Sequence, residues 1–85
     1  MTLIQRQDAL VAQLETVHRR FMTLGHGAGG AYGGNRSRMK HRHIAELRAA
    51  GYSQREAAES AQQCDEVAYL NANYEIRMER KVNRP

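Results

Sequence analysis

Apolar residues recur with helical spacing over the first two dozen positions. Leu3, Leu10, Val17 and Leu24 stand seven apart, and Gln7, Leu14 and Phe21 fill the alternate seam. Ile4 and Val11 widen the stripe on one side. Such a pattern predicts an amphipathic helix over about residues 2–24, with a coiled-coil-like contact along it. Thr2 and Gln5 have the spacing of a capping box, which satisfies two orphan amides. Arg19 and Arg20 are expected in the last turn, where positive charge suits the helix dipole, and Gly25 supplies the stop. Gln7, the polar member of the seam, either sets a register between paired helices or marks a helix end that packs little.

Six of the seven glycines lie between Gly25 and Gly34, which predicts a loop over residues 25–34. A second helix follows over about residues 36–50, with Asn35 or Ser37 as N-cap. Ile44 and Leu47 point toward a core. With Gly51 in the left-handed position after the helix, Leu47 and Tyr52 take the apolar positions of a Schellman motif. Ser53 and Glu56 then form a capping box, so two helices meet at a sharp corner. The stretch 54–81 contains neither Gly nor Pro. Ala57, Ala61, Cys64, Val67, Ala68, Asn71, Tyr74 and Met78 follow three- and four-residue steps, and one long helix is predicted. Its alanines permit close approach of a neighbouring backbone, and Asn71 and Asn73 are its weakest helix formers. The pattern predicts an all-α domain of three helices spanning 1–85. Helices one and three would form a hairpin-like or dimeric bundle, and helix two would present the basic face.

An 85-residue chain has room for one domain, whose core supplies only about 3–5 kcal/mol after ordering entropy. Cys64 is the only cysteine, so no internal disulfide adds to this. Self-association as a homodimer is therefore expected. The expected location is cytoplasmic: a lone cysteine suits a reducing compartment, and the N-terminal residues lack the apolar stretch of a secretory signal. No apolar run reaches the roughly 18 residues of a membrane span, so no membrane contact is expected.

The net charge of +4 is unevenly spread. Residues 1–24 contribute +1 and residues 49–85 contribute −1, whereas residues 36–48 hold Arg36, Arg38, Lys40, Arg42 and Arg48 against Glu46 alone, a net of +4. Arg38, His41, Arg42 and Arg48 share one helical face with Ala45. Arginines around a small residue suit a phosphate backbone, where each contact releases counterions. Positive charge at the start of a helix also has the wrong sign for the dipole, a penalty that a bound anion would reverse. The candidate anion site is thus Asn35, Arg36, Ser37, Arg38, Lys40, His41, Arg42 and Arg48. Its expected partner is nucleic acid, DNA or RNA, or else an acidic protein surface. The histidines would make phosphate affinity depend on pH.

Other chemistry is poorly represented. Gly25, Gly27 and Gly30 match G-x-G-x-x-G, but the preceding segment is helical and no Rossmann-sized sheet fits. No Gly-Lys-Ser/Thr follows, so a Walker loop is excluded as well. The bland role for this stretch is a hinge; the alternative is a loop that wraps a partner with Tyr32 as anchor. His26, His41, His43 and Cys64 lack metal-ligand spacing, and no nucleophile–base pair or carboxylate pair is recognisable. No cofactor, metal or enzymatic activity is expected.

The run Gly51-Tyr52-Ser53-Gln54-Arg55-Glu56-Ala57-Ala58 resembles the opening of the helix-turn-helix module of small repressors and phage regulators, a likeness that covers residues 51–69. The resemblance implies a DNA-binding regulator in which Gln62, Gln63 and Asn71 face base edges. Two departures count against it. Ser60, Ala61 and Gln62 stand where such modules carry bulky aliphatics and a turn glycine, and Asp65 and Glu66 stand where DNA would lie. The competing class is a small inhibitor or assembly subunit. Its partner interface would be Leu3, Leu10, Leu14, Val17, Phe21 and Tyr32, together with the alanine face of the third helix.

Overall fold

The computed structural model describes residues 1–24 and 29–83. It contains α1 (Leu3–Leu24), α2 (Gly29–Ala49) and α3 (Gln54–Val82), with no strand among the described residues. The expected stop at Gly25 lies outside the described residues.

Local signals set most helix ends. The Thr2 amide donates to Gln5 Oε1 (2.9 Å) and the Gln5 amide to Thr2 Oγ1 (3.1 Å), closing the first capping box. At the corner, the Tyr52 amide donates to the Leu47 carbonyl (3.0 Å) and the Gly51 amide to the Arg48 carbonyl (3.1 Å). Gly51 adopts φ +102°, so the full Schellman pattern is present. Ser53 and Glu56 form the second capping box, and α3 then runs unbroken through Asn71 and Asn73.

Three expectations need correction. First, α2 begins at Gly29, so Gly33, Gly34, Asn35 and Ser37 are helical and neither Asn35 nor Ser37 is a cap. Glycine weakens a helix by about 1 kcal/mol per residue, but tertiary contacts override propensity. The contact here is Tyr32, whose ring stacks on Phe21 with centroids 4.1 Å apart and planes 15° apart. Arg36, one turn further along the same helix, places its guanidinium over the Tyr32 ring, 4.9 Å from the centroid. Arg36 and Arg38 therefore sit well inside α2, and the unfavourable dipole expected for them disappears. Second, α1 ends at Leu24, so Arg19 and Arg20 lie before its last turn. Third, α1 and α3 do not form a hairpin. Gln7 meets Ser60, Glu15 meets Asn71, and Arg19 meets Glu75 and Glu79, so the two helices run parallel. Arg6 meets Glu46 while His18 meets Tyr32, which places α2 antiparallel to α1. At about 1.5 Å per residue α2 carries the chain back roughly 30 Å, nearly the length of α1, and α3 starts level with it.

The core is narrow. Leu10, Leu14, Ala61, Cys64 and Ala68 form its centre, with Val11, Met39 and Ile44 packed around them. Ala57, Ala68 and Ala72 are fully buried, which lets neighbouring helices approach α3 closely. Four polar side chains share this interior: His18, His43, Ser60 and Asp65.

Candidate nucleic-acid interface

The spacing 38, 41, 42, 45, 48 puts one face of α2 in solvent. Arg38, His41, Arg42, Ala45 and Arg48 are all exposed, while His43 and Leu47 are buried and Ile44 is half-buried. Arg38 donates to Asn35 Oδ1 at 3.0 Å, which leaves four of its five donors open. Arg48 donates to the Tyr52 carbonyl (3.3 Å). Arg38 and Arg42 line a groove of about 250 Å³ with Asn35, Met39 and Gln13 of α1. Gln13 is a member of this site that the charge pattern alone did not indicate.

Carboxylates engage five of the other cations, while Arg20 of α1 and Arg77, Arg80 and Lys81 of α3 have none among the described residues. Arg6 pairs with Glu46 (3.3 Å), Arg19 with Glu75 and Glu79, and Arg55 with Glu59 (3.1 Å). Arg36 and Lys40, expected in the anion site, both turn inward to Asp65 (2.6 and 3.4 Å). Lys40 also donates to Gln62 (3.0 Å). No carboxylate among the described residues pairs with Arg38, Arg42 or Arg48. Ser37 is exposed on α2.

Asp65, only 4% exposed, explains why Arg36 and Lys40 are withdrawn. A buried carboxylate is costly unless paired and hydrogen-bonded. Its Oδ1 accepts from His18 Nε2 (2.7 Å) and its Oδ2 from Arg36 (2.6 Å). Burial, the largest influence, pushes the Asp65 carboxyl upward. The hydrogen bonds from Arg36 and His18, with the charges of Arg36 and Lys40, outweigh it and hold the group below its ordinary range. Burial also raises the Tyr32 phenol, which keeps its proton, and His18 Nδ1 lies 2.7 Å from that hydroxyl. His18 thus bridges the two, with Nε2 on Asp65 and Nδ1 sharing a hydrogen bond with the Tyr32 hydroxyl. Arg36 Nε is the one buried polar side-chain atom without a partner among the described residues. A cavity of about 450 Å³ opens beside this cluster, but Asp65 and Glu66 in its wall make it a poor seat for phosphate.

A second polar layer lies deeper along the bundle. Ser60 Oγ is 2.8 Å from His43 Nε2 and accepts from Gln7 Nε2 (3.0 Å). Gln7 thus neither sets a register between chains nor idles at a helix end; it satisfies Ser60 within the chain. Burial lowers the His43 pKa and keeps the ring neutral, so Ser60 donates to it. The spacing is that of a nucleophile and base, yet both side chains are sealed in the bundle, at 6% and 3% exposure. Burial pushes the Cys64 thiol up, away from the reactive thiolate.

The expected partner interface is largely spent inside the chain. Leu10 and Leu14 are buried, Leu3 and Val17 are half-buried, and Phe21 and Tyr32 stack on one another. Of the candidate metal ligands, His26 lies outside the described residues, and no three His, Cys, Asp or Glu side chains gather among those described. No helix among the described residues is long and apolar enough to cross a membrane. Comparison with protein-family models, curated proteins and solved structures finds no match.

Proposed function

We propose that this chain is a small accessory or regulatory protein, without catalytic activity, that binds nucleic acid through the solvent face of α2. Arg38, Arg42 and Arg48 contact successive backbone phosphates, and Asn35 and Gln13 donate carboxamide hydrogen bonds in the groove beside the first two. His41, exposed on the same face, adds a further contact. One observation supports this above the rest. The fold supplies a carboxylate to Arg6, Arg19, Arg36, Lys40 and Arg55, and leaves three arginines of one helical face without any. Arg38 and Arg48 stand ten residues apart, about 15 Å of helix rise, enough for the three to touch several phosphates of one strand.

The reading has a quantitative test. Three phosphate contacts give a slope of log affinity against log salt near −2.7 on duplex DNA, or about −2 on a single strand. Affinity then falls roughly 40-fold between about 50 and 200 mM salt. Fluorescence anisotropy with labelled duplex and single-stranded probes measures this. Arg38→Gln with Arg42→Gln should weaken binding to all sequences alike and reduce the slope by about 1.8. A wild-type affinity that is flat with salt, or a double variant with an unchanged slope, refutes the assignment.

A further inference from the structure

The exposed side of α3 is divided by charge along its length. Glu56, Glu59 and Glu66 outnumber Arg55 on its first half, and Arg77, Arg80 and Lys81 outnumber Glu79, which is held by Arg19, on its last turns, all exposed. Between and among them lies an apolar stripe at three- and four-residue steps: Val67 (47% exposed), Leu70 (63%), Tyr74 (65%) and Met78 (40%). Adjacent apolar side chains this open, rimmed by charge, are the mark of a contact surface.

We propose that this stripe is the contact between two copies of the chain, packed antiparallel about a two-fold axis near Leu70. A two-fold interface requires one patch to complement itself. Antiparallel pairing of α3 with its copy brings Glu59 and Glu66 of each protomer toward Arg77, Arg80 and Lys81 of the other, at both ends at once. Parallel pairing would set acid against acid and base against base, which disfavours that register. An anionic surface would gain from the basic half and be repelled by the acidic half; a second copy matches both. The apolar stripe of α1 offers no alternative, because Leu10 and Leu14 already lie in the core. This proposal concerns α3 alone and stands independently of nucleic-acid binding by α2.

Sedimentation equilibrium of the full chain, from micromolar to millimolar concentration, tests it. The wild type should approach twice its 9.7 kDa mass as concentration rises. Leu70→Lys with Tyr74→Lys should weaken association by about tenfold or more, equivalent to 1.4 kcal/mol. A charge-reversal pair tests the orientation. Glu59→Lys with Glu66→Lys makes both halves basic, and Arg77→Glu with Arg80→Glu and Lys81→Glu makes both acidic. Each variant alone should stay monomeric, and an equimolar mixture should form a heterodimer. Circular dichroism checks that each keeps its helicity; if the lysine pair at 70 and 74 unfolds the chain, the charge-reversal mixture decides. A wild type that remains at 9.7 kDa throughout overturns the proposal, as does a mixture that fails to associate or a dimer indifferent to lysine at 70 and 74.

Discussion

Replacing Gly33 and Gly34 by alanine should make the protein more stable. Both lie within α2, neither has positive φ, and a Cβ added at either meets nothing within 4 Å. The folded state therefore accepts the methyl groups without strain, while the unfolded chain loses conformational freedom. At about 0.8–1.0 kcal/mol per site, the double variant should gain roughly 1.5–2 kcal/mol. For a domain of this size that raises Tm by roughly 6–16 °C. Urea and thermal unfolding followed by far-ultraviolet circular dichroism measure both quantities. Gly51→Ala is the contrasting control. It too has open space around its Cβ position, but its φ of +102° is one that alanine adopts only with strain. That change should cost about 1–2 kcal/mol. If Gly51→Ala destabilises as expected while the Gly33 and Gly34 variant gains nothing, α2 does not extend back through these glycines in solution. The anchoring role given to Tyr32 would then fail with it.

Further outcomes follow from the core. Leu14→Ala removes a fully buried side chain at the centre of the bundle and should cost about 2–5 kcal/mol, measured from urea midpoints. Asp65→Asn leaves Arg36 and Lys40 facing a neutral group; because both remain partly solvated, the loss should be about 2 kcal/mol, below that for a sealed pair. A combined Asp65→Asn and Arg36→Met variant should recover part of it, and strict additivity would argue against the pairing. His43 has its pKa lowered from 6.5, so the unfolded chain takes up that proton first. Stability present above pH 6.5 should decline as pH falls below it, and His43→Gln should flatten that slope. Asp65, held below 3.8, adds a second loss at lower pH as its carboxyl is protonated in the folded state.

The parts of this fold that depend on neighbours in sequence were readable from the sequence. The corner at Gly51 and the capping boxes at Thr2 and Ser53 each involve residues within five positions of one another. The start of α2 was not readable, because the cost of its glycines is local while the compensating contacts of Tyr32 reach Phe21 and His18 on another helix. The basic segment was legible as a segment but not in its division. Nothing near Arg36 and Lys40 reveals that Asp65, 29 and 25 residues away, would claim them and leave Arg38, Arg42 and Arg48 outside. His18 did leave a trace. It continues the Leu10–Leu14 step by four onto the core stripe, as Asp65 continues Ala57 and Ala61 on α3. A polar residue on an apolar face signals a buried partner, though the sequence does not name it.

The parallel arrangement of α1 and α3 has a consequence for how the protein is made. The inner face of α1 is closed by residues from Ala57 to Ile76 of α3, which are synthesised well after it. At about 5–20 residues per second, translating the 29 residues of α3 takes roughly 1.5–6 seconds. During that interval Leu10 and Leu14 have no lasting cover, although helices themselves form within about a microsecond. The core thus stays incomplete until α3 has been added, and a product cut short ahead of Ile76 would present its leucines to chaperones and proteases.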